Sequence, residues 1–289
     1  MAIDVDVALS AETTVREASW TERDVLLYHL GVGAGTRPTD PGELGWVFEK
    51  GLRVLPTFAM VAGQGISSKT LPAGLNLPGV DIDLRKILHG GQSLTVHAPI
   101  PKSGSARIAS RVAEVWDKGK AAVIVLEQTA TDFDGNPLWT TGMQIWARGE
   151  GGFGGSPGPE SVAALPEGEP EKVLVSSTGG AQALLYRLSG DMNPLHADPA
   201  FAAAAGFDRP ILHGLASYGI VCKAVIDGML DGDPCGLKSY TARFAGSLYP
   251  GETIETAVWR DGGRLRLLAT CPERDGQPVL THATMEVHP

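Results

Sequence analysis

Residues 186–229 read YRLSGDMNPLHADPAFAAAAGFDRPILHGLASYGIVCKAVIDGM. The final part, Gly214 to Met229, carries a single charge, Lys223, before Asp227. A helix that is apolar all round is buried rather than amphipathic, so it calls for a curved antiparallel sheet wrapped about it. Upstream, Asp198-Pro199 opens a small separate helix: Asp198 is its N-cap, Pro199 its first helical residue and Gly206 its stop. Pro194 can continue neither a regular helix nor a central strand. Asp191, Asn193 and His196 therefore stand on a loop, and His213-Gly214 follows at the mouth of the apolar helix. An acid, an amide, an imidazole and a helix N-terminus in so short a stretch are the parts of an acid/base site with an anion hole.

Outward from this stretch, the chain divides near its middle. Residues 149–172, GEGGFGGSPGPESVAALPEGEPEK, are dense in Gly, Pro, Ser and Glu and have linker composition. We assign 1–150 to a first half, 151–171 to the linker and 172–289 to a second half. Each half ends in a D-G-x-P turn feeding a β-rich strand, Asp134-Gly135-Asn136-Pro137 before TTGMQIWA and Asp275-Gly276-Gln277-Pro278 before LTHATMEVH. Ahead of these lie AAVIVLEQTAT (121–131) and GRLRLLATCPE (263–273), and before those RIASRVAEVWD (107–117) and ETIETAVWRD (252–261). A duplicated unit explains the parallel. The first half's own helix is predicted near Thr57–Ala62, shorter and less regular than its counterpart. The expected class is α+β, a double hotdog: two antiparallel sheets in tandem, each wrapping a helix.

Composition narrows the function. The 289 residues suit two domains, and 43% hydrophobic content can build a core. A formal charge of −9 argues against a nucleic-acid surface. Three cysteines, Cys222, Cys235 and Cys271, show no metal-ligand spacing and are too few for a disulfide framework. The start, MAIDVDVALSAETT, lacks the pattern of a secretory leader, no apolar run reaches membrane-span length, and EVHP is no peroxisomal address. The expectation is a cytoplasmic protein without nucleic-acid or membrane partners.

Each chemical signal has a rival. Asp191 and Asn193 also suit plain turn chemistry, and His213 also suits a core histidine satisfied by backbone. His196-x-Asp198 is half of a two-His, one-carboxylate iron site, which His282 or His288 could complete; Asp198 is better explained as the cap before Pro199. Ser217 falls inside the helix with one residue too many for a nucleophile elbow, and Cys222 reads as core. Gly31, Gly33 and Gly35 follow no predicted strand, which argues against a dinucleotide fingerprint.

With these residues in view, YRLSGDMNPLHADPAFAAAAGFDRPILHGL resembles the signature of type 2, (R)-specific enoyl-CoA hydratases of the MaoC-like dehydratase group. FAGSLYPG (244–251), Leu55-Pro-Thr-Phe58, Leu88-His-Gly90 and Asp117-Lys-Gly119 resemble further segments of that family, including the hydratase domain of multifunctional β-oxidation enzymes. The resemblance implies that Asp191 and His196 are the catalytic pair and that Asn193 orients water or thioester. It implies that the Gly214 N–H binds the thioester oxygen. His89, Gly90, Lys118 and Phe244, with Met192, Pro194 and Leu195 in the loop, are implied to contact the acyl-CoA. It implies no metal or other cofactor, an acyl-CoA substrate and a homodimer.

The chemistry agrees. Adding water across a 2-enoyl thioester needs a base for the water at C3 and an acid for C2, and an enolate oxygen is stabilised by an N–H at a helix N-terminus. Lys118 could meet a CoA phosphate as a point charge. A thioesterase on the same fold and a non-catalytic acyl-CoA-binding module stay open as alternatives. The first half has no D-x-N-P-x-H loop, so one active site per chain is expected.

Overall fold

The computed structural model describes residues 3–64, 74–159 and 164–288; residues 160–163 of the assigned linker lie outside them. The first half runs α1 (Val5–Ser10), β1 (Thr14–Trp20), α2 (Glu22–Gly31), α3 (Pro41–Val47), a 3-10 turn (Pro56–Met60), β2 (Gly74–Leu77), β3 (Val80–Asp83), β4 (Ile87–Val96), β5 (Gly104–Asp117), β6 (Ala121–Thr131) and β7 (Pro137–Arg148). The second runs β8 (Lys172–Ser177), α4 (Gln182–Tyr186), α5 (Pro199–Ala204), α6 (Gly214–Met229), β9 (Leu237–Phe244), β10 (Thr253–Asp261), β11 (Arg264–Cys271) and β12 (Gln277–Val287).

Ten strands form one antiparallel sheet in the order β1-β5-β6-β7-β4-β9-β12-β11-β10-β8. That order reads the same from both ends if β4 answers to β9, β7 to β12, β6 to β11, β5 to β10 and β1 to β8. The double hotdog is therefore built as expected from two like units. Their sheets are not merely in tandem: β4 pairs with β9, Gly91 opposite Arg243 through Thr95 opposite Ser239, and the two run on as one. A pseudo-twofold axis passes through this seam. The duplication extends to the helices. Asp40-Pro41 opens α3 as Asp198-Pro199 opens α5, each Asp side chain accepting a backbone N–H of the first turn at 2.8 Å. The same step of 15 positions then leads from Asp40 to Leu55 and from Asp198 to His213, the N-caps of the 3-10 turn and of α6.

Strands β10 and β11 alternate buried and accessible residues over most of their length, as a sheet with one face on a core requires. Onto that face α6 packs, against β8, β9, β10 and β12. Its Tyr218 donates to the Tyr240 carbonyl at 2.7 Å, and the two rings stack with centroids 3.9 Å apart. In the first half the same place holds the 3-10 turn, packed on β4 and β7. The predicted helix near Thr57–Ala62 is thus a wholly buried Pro56–Met60 turn. Pro56 can start a helix, but Gly63-Gln64-Gly65 beyond it favours no continuation. Helices α1, α2 and α3 exceed the single helix expected for that half.

One core spans both halves, joining Trp20, Tyr28 and Phe58 to Tyr186, Tyr218 and Tyr240. A smaller one lies under α1 and the β2–β3 hairpin, around Ile82, Ile124 and Ile145. Between the halves, the Lys223 ammonium is buried against Glu43 at 3.1 Å and Asp227 at 2.8 Å, and Trp46 Nε1 donates to Asp227 at 2.9 Å. The linker's start is strapped to the first half: the Asp117 carboxylate accepts the N–H groups of Gly152 and Gly154 at 2.8 and 2.7 Å. No helix among the described residues is long and apolar enough to cross a membrane.

Candidate active site

The loop between α4 and α5 is held by its own side chains. Asp191 Oδ1 accepts the Asn193 N–H at 3.1 Å, and Asn193 Oδ1 accepts that of Leu195 at 3.0 Å. Pro194 then opens a 3-10 turn, Pro194–His196, whose N-cap is Asn193. Turn chemistry does not use these side chains up: each spends one atom on the backbone and keeps the other. Asp191, Asn193, Leu195 and His196 line a cavity of about 690 Å³ between the halves, while Met192 and Pro194 shape the loop outside its wall.

Two imidazoles meet here. His196 is buried, and its Nδ1–H donates to the Ile211 carbonyl at 2.9 Å, which fixes the tautomer and leaves the Nε2 lone pair unused by that bond. His213, also buried, donates Nε2–H to the Asp191 carbonyl at 3.2 Å. The rings stack with centroids 3.7 Å apart and planes 27° off parallel, and Tyr186 packs on the outer face of His213 at 4.8 Å. Burial lowers the pKa of His196, and burial plus the neighbouring imidazole brings His213 down to about 4. Both are neutral at neutral pH.

A carboxylate oxygen of Asp191 and a ring nitrogen from each of His196 and His213 lie within 4.8 Å of one another. As a ligand set these fit a metal poorly. Stacked rings direct their lone pairs along nearly parallel planes rather than toward one point. The iron set imagined from the sequence is not brought together: Asp198 caps α5, His282 sits on β12, and His288 lies beside a different cavity. As acid/base groups the atoms fit well, because one water can bridge a carboxylate and an imidazole at this separation.

Opposite the loop, α6 begins at Gly214, whose N–H belongs to the orphaned first turn. A Cβ there would stand 3.1 Å from the Phe244 ring, so glycine lets the backbone approach the wall formed by β9. Across the seam the first half contributes the β4 segment Ile87–Gly90. His89 donates its Nε2–H to Gln92 Oε1 at 3.1 Å, and its ring meets Phe244 edge-on at 4.6 Å. Burial brings its pKa down to about 4. Gly90 sits at a bulge, where a Cβ would fall 2.0 Å from the Trp146 ring.

Lys118 is elsewhere. At the β5–β6 turn it donates to the Pro157 carbonyl and lies 5.3 Å over the Trp116 ring, tied to the linker. The cation in the cavity wall is Arg243 of β9, which the sequence alone did not single out. Trp146 was also missed. His213, which as a sequence feature suits both core and site, is buried and stacks on His196.

A model of the MFE-2 hydratase 2 N-terminal domain matches residues 19–149, and a MaoC like domain model matches 161–270. An enoyl-CoA hydratase, ChsH3, of Mycobacterium tuberculosis is 52% identical over 97% of this chain and 98% of its own. A peroxisomal enoyl-CoA hydratase 2 of Arabidopsis thaliana is 38% identical over 93% of this chain and 91% of its own. The crystal structure of a MaoC-like dehydratase from Phytophthora capsici superposes with a TM-score of 0.87 at 28% identity, covering 99% of this chain and 98% of that one. Two domain models in the order of the two halves, and relatives matched nearly end to end, show that the chain belongs to the MaoC-like dehydratase family, in its hydratase 2 branch.

Proposed function

We propose that the chain hydrates trans-2-enoyl-CoA to (3R)-3-hydroxyacyl-CoA, reversibly, at the single site around Asp191 and His196. The observation that carries this is the approach of the Asp191 carboxylate and the His196 ring within 4.8 Å, at a cavity that also receives the first N–H of α6. The names of the relatives point to the same reaction.

The thioester carbonyl lies at the start of α6, its oxygen toward the Gly214 N–H. A water held between the Asp191 carboxylate and His196 Nε2 gives up a proton to that pair as its oxygen bonds to C3. Electrons of the double bond move toward the carbonyl, and the negative charge on its oxygen is met by the N–H and the helix dipole. The pair then returns the proton to C2, so each turnover leaves its protonation unchanged. Asn193, with Oδ1 engaged by Leu195, has its amide N–H to offer water or thioester. Neither a redox partner nor a Lewis acid is called for by these steps. The R configuration and a homodimer follow the family resemblance.

The test is hydration of trans-2-enoyl-CoAs of graded chain length by the purified protein. Loss of the enoyl absorbance with a product inert to an (S)-specific dehydrogenase is the expected result. A strong dehydrogenase signal would refute the stereochemistry, and release of free thiol in place of hydration would make the protein a thioesterase.

A further inference from the structure

The pseudo-twofold axis maps the active-site cavity onto a second one, of about 520 Å³, at the other end of the β4–β9 seam. Three of its walls are counterparts of walls of the first, while the counterpart of the 191–196 loop, around Gly33, lines a different cavity. Residues at 233–237, entering β9, stand in for 87–90 at the start of β4; residues at 96–102, leaving β4, stand in for 243–248 leaving β9. The segment 52–56 ahead of the 3-10 turn stands in for 211–214 ahead of α6.

The chemistry, however, has been removed. With Asp40-Pro41 aligned on Asp198-Pro199, Gly33 takes the place of Asp191, Gly35 that of Asn193 and Pro38 that of His196. In the same alignment Leu55 replaces His213, and Pro56, which has no N–H, replaces Gly214. Acid, base and oxyanion donor are all lost while the cleft persists. What remains is largely apolar, with Leu52, Val54, Val96, Ile100 and Leu237 in the lining; Lys102, paired with Glu22, and Asp233, whose carboxylate accepts the Cys235 N–H, are charged residues that also line it. Arg53 adds a cation whose guanidinium lies 4.1 Å over Trp46 and bonds to the carbonyls of Gly232 and Gly42 rather than to a carboxylate. The volume lies within the roughly 300–1,000 Å³ of small-molecule sites.

We propose that this cavity is a second, non-catalytic acyl site, which takes a linear acyl chain with its anionic end toward Arg53. A free fatty carboxylate and an acyl-CoA share that chemistry. The choice of an acyl chain rests on the hydratase reading of the first site.

Cys235 provides the readout. It lines the cavity and is exposed, whereas Cys222 and Cys271 are buried, so it is the thiol that a reagent reaches in the folded chain. Its labelling by an aromatic disulfide is followed in the intact protein with decanoate, decanoyl-CoA or CoA alone. Decanoyl-CoA has no double bond to hydrate. Labelling is expected to slow by one plus the ratio of ligand to Kd, about tenfold at ten times Kd. Protection by decanoate alone assigns the site to free carboxylates, and protection by decanoyl-CoA but not CoA assigns it to thioesters. Ala98→Trp, which fills the cavity from the loop after β4, should abolish protection while crotonyl-CoA hydration continues. Labelling unchanged by both ligands, or protection that survives Ala98→Trp, overturns the proposal. Hydration measured on the same samples separates the two readings: protection without hydration sinks the hydratase assignment and leaves the acyl site standing.

Discussion

His196 and His213 stack face to face, centroids 3.7 Å apart, and each spends one ring N–H on a backbone carbonyl. The arrangement locks His196 in the tautomer that a base needs, and a second charge on the neighbouring ring is disfavoured. Asp191→Asn and His196→Gln should each lower kcat on crotonyl-CoA by about 10²–10⁴, the scale of a positioned acid or base. Circular dichroism should show both variants folded. Near-full activity in either would remove that residue from the mechanism.

The lowered pKa of His196 sets the acid limb of the rate profile. Its base form persists below the ordinary value of 6.5, so kcat/KM should stay flat as pH falls through that value and drop only further into acid. A profile from pH 8 to 5 measures it, and half-loss at or above 6.5 would contradict an imidazole desolvated in this way.

Gly214→Pro copies into the active half what Pro56 already does in the other. Proline is tolerated at the first helical position but has no N–H. Gly214→Ala keeps the N–H and adds only the contact with Phe244. The proline variant should lose on the order of 10²–10³ in kcat, the cost of one oxyanion donor, and the alanine variant distinctly less. Equal losses would assign the effect to crowding against Phe244 and not to the N–H.

Acid should also unfold the chain early. His29, His89 and His213 each have a pKa lowered from 6.5 to about 4. Between those values the unfolded chain binds protons that the folded one refuses, so stability rises with pH across that window and is lost on acidification through it. His29 is the clearest case, with Nδ1–H donating to the Trp46 carbonyl at 2.6 Å and Nε2 accepting from the Leu55 N–H at 3.1 Å. Urea midpoints should climb from pH 4.5 to 6.5 and level off above; a flat dependence would mean that these rings are hydrated in the folded state.

The parts of this fold legible in the sequence were those whose signals are local. Helix α6 could be bounded at both ends because a run with one charge before Asp227 starts after a His-Gly pair, and the hairpins because D-G-x-P allows little but a turn. Helix α2, ERDVLLYHLG, was not legible: Val25, Tyr28 and His29 are buried, but leucines also face outward, and no apolar stripe stands out. Helix α3 is short and contains two glycines. The loop from Asp191 to His196 declared itself by residue type and spacing. Lys118 misled because a lone cation does not reveal which way its hairpin points. Arg243 and Trp146 enter the cavity only through strand register, which is set across the whole sheet.

The seam between β4 and β9 has one more consequence. Two identical copies meeting across a true twofold axis must change together: an allele that placed proline at the mouth of one helix would place it at both, and no working centre would survive. Here the two sides of the axis are separate stretches of a single gene product, always present in equal number. Either side can drift without taking the other with it, and asymmetry becomes heritable at no cost in assembly.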